Sequence, residues 1–519
     1  MAAALHFDSH KTLGDLLPSS AFSNLPAALL SLPVMGLAID SRSVRSGDVF
    51  LAFPGESADG RMFIDQAIAR GAIAVIAESG FERSDLSVPV IQIAQLRDEV
   101  SAIADRFYDQ PSAAMRIVGV TGTNGKTSCT QLIAQALRLL GKACGVIGTL
   151  GNSLNAVEQY AHTGSGLTTP DPIALQSQLA QWRDKNVQHT AMEVSSHGLV
   201  QGRVNGIRFC GAVFTNLTRD HLDFHGTMAE YGAAKARLFD MPDLEFAIIN
   251  RDDAFGAELI ARIGNRLSVL DYSMQDANAA IAIRAAEFQA HGVSAIVKTP
   301  WGDLVLRSHL LGDFNLSNLL AVIGVLGQMG IAPADISSVL PQLDPIAGRM
   351  QRVASETDIE VVVDYAHTPD ALAHALAASR RHCRGQLWCV FGCGGDRDAG
   401  KRPLMGEVAS RLADRIVLTS DNPRSENPQT ILDQIAAGID ASHAINVVLE
   451  SDRAAAISFA VQRAQAGDMV LLAGKGHEDY QLVGREIRPF NDVMVARAAL
   501  LSRLCSLPSA GAGVVGGIE

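Results

Sequence analysis

The stretch Val118-Gly119-Val120-Thr121-Gly122-Thr123-Asn124-Gly125-Lys126-Thr127 constrains this chain more than any other. Arg116 to Thr121 is a short run rich in β-branched residues, and Leu132, Ile133, Ala136, Leu137 and Leu140 then recur at helical spacing. The glycines therefore sit where a strand turns into a helix. There Gly122 and Gly125 let successive backbone N–H groups converge on an anion, and the helix N-terminus adds the positive end of its dipole. In such a loop Lys126 reaches the outer phosphates and the Thr127 hydroxyl faces Mg2+. The strict pattern also wants glycine at position 120, where this chain has Val. A nucleoside triphosphate is the expected ligand.

The 519 residues exceed what one core organises, and about three domains are expected. An apolar content of 48% against 19% charged residues describes a globular chain. The net charge of −12 lacks the basic face that nucleic acid or an acidic membrane requires, so neither is an expected partner. Seven cysteines, an odd number in so long a chain, do not read as a disulfide framework, and a reducing, cytoplasmic compartment is expected. His382, Cys383, Cys389 and Cys393 match no common zinc spacing, and two of the thiols lie in an apolar, strand-like run; buried inert thiols are expected. The apolar run from Leu25 to Ile39 is cut by Pro26, Pro33 and Gly36 and falls short of a membrane span. Asp8, Lys11 and Asp15 before it form no cationic leader. A monomer is expected.

Along the chain, a small α/β module occupies 1–110: a strand near Gly47 to Phe53, turns at Pro54-Gly55 and Asp59-Gly60-Arg61, a helix near Phe63 to Arg70 and a strand from Ala72 to Ala77. A central domain, 111–344, alternates helices with buried parallel strands at Arg116–Thr121, Cys144–Thr149, His189–Val194, Cys210–Asn216 and Phe246–Asn250. Beyond Leu340-Pro341-Gln342-Leu343-Asp344-Pro345, a third domain, 345–505, repeats the alternation with strands at Glu360–Tyr365, Gln386–Gly392, Arg415–Ser420, Asn446–Leu449 and Met469–Ala473. The fold class is therefore α/β: a small N-terminal module, a central P-loop domain with a parallel sheet, and a Rossmann-like, doubly wound C-terminal domain. The segment 506–519 has no periodicity and is expected to be loose.

Chemistry gathers at strand ends. Glu193, in Met192-Glu193-Val194-Ser195-Ser196-His197-Gly198, stands where a carboxylate meets the metal of a P-loop nucleotide. Asn216, Arg219, Asp220, His221, Asp223 and His225 crowd the end of the next strand, as a metal and phosphate site would require. Lys235, taken alone, reads as a solvated helix lysine. In the third domain, Asp421-Asn422-Pro423-Arg424 ends a strand in a proline turn, and Arg397 leaves the neighbouring strand. Two arginine forks for a carboxylate and Glu478 for an ammonium make a pocket for a zwitterion.

Taken together, Thr121–Thr127, Glu193–Gly198, Thr215–Gly226, Asp364–Pro369, Asp421–Arg424 and Gly474–Glu478 resemble, in order, the motifs of the Mur ligase family of ATP-dependent amide-forming enzymes. The resemblance spans about residues 25 to 500. It implies that Gly122, Thr123, Asn124, Gly125, Lys126, Thr127 and Ser128 bind ATP, with Asn315, Arg349 and Asp364 at its adenosine end and phosphates. It implies a Mg2+ site of Thr127, Glu193, His221 and Lys235, the lysine carbamylated, with Lys126, Lys235 and His221 catalytic. Ile39, Ser41, Thr168, Thr169, Ser195, Gln201 and Arg203 would contact a UDP-muramoyl dipeptide. Arg397, Asp421, Asn422, Pro423, Arg424, Gly474 and Glu478 would receive diaminopimelate. Closure of the third domain onto the central one would bring amine and activated carboxylate together. The chain departs from its relatives at Glu56-Ser57, where His-Gln is common, and at Leu167, where Asn is common. A ligase of the same superfamily acting on a pteridine, or a P-loop switch ATPase that makes no product, are the alternatives.

Overall fold

The computed structural model describes residues 11–18, 25–56, 58–83, 85–156, 167–289, 291–353, 357–440 and 446–506. The chain divides into two compact units. One comprises Met1–Ile283, Val297–Leu304 and Ser317–Val339, and the other Arg284–Ile296, Val305–Leu316 and Leu340–Glu519.

The first unit begins with a parallel sheet in the order β1 (Gly36–Ala38), β2 (Asp48–Ala52), β3 (Ala74–Glu78) and β4 (Val90–Ile93). Leu51, Ile76 and Ile91 pack on one face against Leu96, Val100, Ile103 and Phe107 of the helix Leu96–Phe107, while Phe50 and Val75 pack on the other with Ile64 and Ala67. A sheet buried on both faces reads in sequence as a continuous apolar run, and β2 is buried throughout.

The second sheet of this unit is built around β5 (Arg116–Thr121). In order it contains β7 (Ser153–Leu154), β6 (Cys144–Ile147), β8 (His189–Glu193), β5, β9 (Phe209–Phe214), β10 (Phe246–Asn250) and β11 (Ser268–Ser273). All neighbours are parallel except β7, which runs antiparallel to β6. The expected strands are present: β5 and β10 end where expected, and β6, β8 and β9 end one or two residues early. The short β7 and four consecutive strands were not anticipated: β11, β12 (Ile281–Gln289), β13 (Gly292–Lys298) and β14 (Leu304–Ser308). In β12 only Ile281 and Ala282 are buried, and these two pair with β11. Residues 284–287 face solvent and break the apolar run on which strand recognition depends.

The second unit holds the doubly wound sheet in the order β15 (Gln351–Arg352), β16 (Glu360–Asp364), β20 (Met469–Ala473), β17 (Leu387–Phe391), β18 (Arg415–Leu418) and β19 (Val447–Leu449). Only β15 is antiparallel. Strand alternation sorts its two faces. Val362, Cys389, Phe391 and Leu471 join the helices Pro369–His382, Lys401–Leu412 and Pro428–Ala436, whereas Val361, Val363, Val390 and Leu472 join Arg453–Arg463 and Asp492–Ser506. Cys389 and Cys393 lie in the first of these layers, and burial pushes the Cys393 thiol up to about 12, so both are inert packing groups as expected. A hairpin of β21 (Tyr480–Val483) and β22 (Glu486–Pro489) precedes the last helix. Ser506 closes that helix, and the rest of the expected loose segment, 507–519, lies outside the described residues. Among the described residues no helix is long and apolar enough to cross a membrane.

An ion pair with no solvent exposure, Arg453 Nη2 to Asp492 Oδ2 at 2.7 Å, joins the two helices of the second layer. Arg453 also donates to the carbonyls of Ala473 (3.0 Å) and Ser420 (3.4 Å), at the carboxyl ends of β20 and β18. Replacing Arg453 with Met leaves Asp492 buried without its partner. We expect a loss of about 3–5 kcal/mol in the stability of this unit, measured by urea unfolding; an unchanged transition midpoint would show that the pair is dispensable.

Candidate active site

In the first unit the phosphate loop leaves β5 at Thr121, and the helix Lys126–Leu139 starts at its far end. Gly122 has φ 146°, and a Cβ there would lie 1.9 Å from Thr215 Oγ1, so only glycine fits. Thr215 Oγ1 donates to the Asn124 carbonyl at 2.6 Å, and Asn216 Oδ1 accepts from the Asn124 N–H at 2.9 Å. The end of β9 thus shapes the loop. Lys126 Nζ folds back onto the carbonyls of Gly122 (2.8 Å) and Thr123 (2.9 Å), covering the cradle that a phosphate would enter.

Lys235 Nζ donates to the same Gly122 carbonyl at 2.8 Å. Its residue is 1% exposed and its amine sits 4.2 Å from the centroid of the Tyr231 ring, which overturns the solvated-lysine reading. Burial, then the neighbouring charge of Lys126, holds its pKa well below the ordinary lysine value, against a smaller pull from Asp220. The surroundings therefore disfavour the charged form of this amine. Glu193, also 1% exposed, ends β8 beside the loop. It accepts from Thr149 N–H at 2.9 Å and Thr149 Oγ1 at 3.1 Å, and from the Thr127 hydroxyl. Burial raises its pKa, opposed first by Lys126.

Glu193 and the Thr127 hydroxyl are hard oxygen donors suited to Mg2+, which takes few protein ligands and completes its shell with phosphate oxygens and water. Among the described residues no cluster of three or more His, Cys, Asp or Glu forms a metal cage. His221, half exposed with φ 52°, lies 3.5 Å from Asp220 and stacks edge-on against His197 at 4.9 Å between ring centroids. Burial and then the neighbouring His221 depress the pKa of His197.

Residues expected at the nucleotide-sugar substrate divide into two groups. Thr169 is fully buried: its hydroxyl donates to the Glu193 carbonyl (3.0 Å) and accepts from Ser195 N–H (2.9 Å), bracing the end of β8. Arg203 Nη1 donates to the Thr169 carbonyl at 2.7 Å, and Ser195 Oγ caps the helix Ser196–Val200. Thr168 Oγ1 and Thr149 Oγ1 lie 3.1 Å apart. In the N-terminal sheet, Ser41 Oγ donates to Gln66 Oε1 at 2.7 Å, Ile39 packs against the core, and Glu56 is hydrogen-bonded to Gln201. Glu56, one of the two departures from the family pattern, therefore has a partner among the expected substrate contacts; Ser57 lies outside the described residues.

In the second unit Asp364 accepts from the backbone N–H groups of Met350 (2.8 Å) and Ala366 (2.9 Å), fixing the segment that carries Arg349. Arg349 lies over the Tyr365 ring at 5.0 Å, and buried Asn315 donates from Nδ2 to the Leu311 carbonyl at 2.8 Å. These three residues expected at the nucleotide thus belong to a different unit from the phosphate loop. His382 is no metal ligand, because Gly312 N–H donates to its Nε2 at 2.9 Å and its Nδ1 bonds the Gln289 carbonyl at 2.6 Å.

The expected amino-acid residues come together at the ends of β17, β18 and β20. Arg424, with φ 50°, is held by its N–H to the Leu482 carbonyl (3.0 Å) and by Nη1 to the Gly395 carbonyl (2.8 Å). Gly395 N–H in turn donates to the Asn422 carbonyl at 2.9 Å, while the Pro423 carbonyl accepts from Glu426 N–H at 3.1 Å, and buried Arg402 ties Gly394 to Glu426. Arg397 is exposed and makes no hydrogen bond or ion pair among the described residues. Gly474, with φ 115°, leaves room for Asp421 Oδ2, 2.6 Å from where a Cβ would stand. Glu478 Oε2 accepts from Asn422 Nδ2 and from Lys475 Nζ, both at 2.9 Å. Sequence reasoning gave Lys475 no role, although its place between Gly474 and Gly476 at a strand end was a signal.

Three family models match the chain. "Mur ligase family, catalytic domain" covers residues 33–108, "Mur ligase middle domain" 120–326 and "Mur ligase, glutamate ligase domain" 348–476. The UDP-N-acetylmuramoyl-L-alanyl-D-glutamate–2,6-diaminopimelate ligase of Ectopseudomonas mendocina is 51% identical, over 92% of this chain and 97% of that protein. The protein of the same name from Pseudomonas aeruginosa is 48% identical over 93% and 98%. A solved structure of such a ligase, 37% identical, covers 93% of this chain and 97% of its own with a TM-score of 0.71.

The buried amine of Lys235 makes stability depend on pH. Between its depressed folded pKa and the ordinary 10.5, the unfolded chain binds a proton that the folded chain does not, so stability rises with pH through that window. Lys235→Met removes this dependence. In bicarbonate-free buffer the Tm difference, variant minus wild type, is expected to shrink between about pH 7 and about pH 10. A constant difference would mean that Lys235 is charged in the folded protein.

Proposed function

The chain belongs to the Mur ligase family, and we propose that it is an ATP-dependent ligase that joins meso-2,6-diaminopimelate to the D-glutamate γ-carboxylate of UDP-N-acetylmuramoyl-L-alanyl-D-glutamate, releasing ADP and phosphate. What supports this reading most is the extent of the likeness. The matched spans, 33–108, 120–326 and 348–476, include residues of both the phosphate loop and the Asp421–Arg424 turn. The reaction belongs to cytoplasmic cell-wall precursor synthesis, and domain boundaries near residues 110 and 344 are part of the same reading.

A carboxylate and an ammonium do not condense in water, because one is a poor electrophile and the other has no free pair. Phosphorylation solves the first problem. The γ-carboxylate attacks the γ-phosphate in line, ADP leaves, and an acyl phosphate forms. Lys126, released from the loop carbonyls when phosphates displace it, lies over the transferred group, and the N–H groups of Gly122 to Ser128 hold the phosphates. Thr127, Glu193, His221 and carbamylated Lys235 would hold Mg2+, which neutralises phosphate charge when bound. Carbamylation turns a neutral amine into an anionic oxygen ligand, a conversion open only to a lysine kept unprotonated. The deprotonated amine of diaminopimelate then attacks the acyl carbon and phosphate leaves. Ile39, Ser41, Thr168, Thr169, Ser195, Gln201 and Arg203 orient the nucleotide-sugar peptide, and Asn315, Arg349 and Asp364 serve the adenosine end.

Diaminopimelate differs from lysine by a distal carboxylate, the group that an arginine fork rewards. Phosphate release with the UDP-muramoyl dipeptide should require diaminopimelate and respond poorly to lysine; release that ignores both cosubstrates would indicate a switch ATPase instead. Arg424→Ala should raise KM for diaminopimelate by about a hundredfold and leave KM for ATP unchanged, and normal diaminopimelate kinetics would remove Arg424 from the pocket. In 13C-bicarbonate the wild type should give a carbamate carbon resonance that Lys235→Arg lacks; its persistence in that variant would place the adduct elsewhere.

A further inference from the structure

Lys475 is a buried cation that the reaction above does not use. Its side chain has no solvent exposure, and its Nζ lies 2.9 Å from Glu478 Oε2 and 3.9 Å from Asp421 Oδ1. It also donates to Asn422 Oδ1 at 3.2 Å, and Tyr480 stands 5.6 Å away along the cation–π direction. Asn422 completes the arrangement: its Oδ1 accepts from Leu482 N–H at 2.9 Å and its Nδ2 donates to Glu478 Oε2 at 2.9 Å.

Two consequences follow. Glu478 is locked through one oxygen, so Oε1, with no protein partner among the described residues, is left for a ligand. The charges also nearly cancel. Asp421 and Glu478 carry two negative charges, Lys475 one positive, and the nearby Arg453 is neutralised by Asp492 at 2.7 Å. One unmatched negative charge remains, enough for a single ammonium.

Resting on the ligase reading, we propose that Lys475 is a positioning residue that sets this pocket's preference for an ammonium accompanied by a carboxylate over an ammonium alone. With Lys475 in place, the acidic side matches one ammonium and does not repel the carboxylate bound at Arg424. Without it, the pocket holds two unmatched carboxylates. That field favours the bare ammonium of lysine, penalises the distal carboxylate of diaminopimelate, and releases Glu478 from its fixed orientation.

The test compares kcat/KM for diaminopimelate with that for lysine, at saturating ATP and UDP-muramoyl dipeptide, in wild type, Lys475→Met and Lys475→Gln. The diaminopimelate-to-lysine ratio should fall about tenfold or more in both variants, with KM for ATP unchanged. A wild-type ratio in a folded variant overturns the proposal, because a purely structural lysine lowers both rates together. Should Lys475→Met fail to fold, Lys475→Gln, which keeps an N–H donor for Glu478, carries the comparison. Failure of both to fold assigns Lys475 to structure and also overturns it. If the wild type makes no product with diaminopimelate, the ligase reading itself has failed.

Discussion

Two lysine amines meet at one carbonyl oxygen in the first unit, and much of the chemistry follows from that meeting. Lys126 Nζ and Lys235 Nζ each lie 2.8 Å from the Gly122 oxygen, the first partly exposed and the second buried. Burial first, and then the neighbouring charge of Lys126, disfavour the charged form of the Lys235 amine. The backbone enforces the geometry. In the register of β5 between β8 and β9, Val120 lies opposite Glu193 on one side and Val213 on the other. Gly122, Glu193 and Thr215 therefore leave the sheet at one level. A slip of one residue would turn every side chain of β5 to the other face and dismantle the site.

The second unit solves the opposite electrostatic problem. Its pocket gathers carboxylates instead of amines, and burial raises the pKa of Asp421, opposed by Arg453 and Lys475. In both places a surplus of like charge is arranged around a backbone turn that only glycine fits, Gly122 in one unit and Gly474 in the other. The remedies differ with the chemistry required. On the proposed reading, a lysine that becomes a carbamate gains from surroundings that disfavour its charge, whereas carboxylates that receive an ammonium keep theirs and share a buried counter-ion.

Local signals were readable in the sequence to the extent that function depends on neighbours along the chain. The phosphate loop, the strand-end turn at Asp421–Arg424 and the apolar strands carrying Cys389 each depend on residues within a few positions. Lys235 was not readable that way. Its helix, Met228–Ala236, shows polar and small residues, and its amine is buried only because the Gly122 carbonyl, 113 positions earlier, lies against it. Lys475 escaped notice for the same reason: its partners Asn422 and Asp421 come from a different strand end. Strand β12 was missed because its exposed face erased the periodicity. The family resemblance implied a role for Lys235 that local pattern could not, but it assigned nothing to Lys475.

Buried amines are expensive. A lysine buried against a carbonyl, or wholly enclosed beside two carboxylates, stabilises a fold less than a methionine of similar volume packed in the same space. Arg453 and Asp492 at least pair with each other and tie two strand ends together. Lys235 has one carbonyl and an aromatic face, and its position next to another lysine raises the cost further. Such residues are retained where the site needs a group that water would neutralise or screen, and the fold carries the penalty in a unit whose apolar strands are buried on both faces. The places where this chain sacrifices stability are therefore a guide to its chemistry independent of any motif, and they fall at the ends of β5, β8 and β9 in one unit and of β18 and β20 in the other.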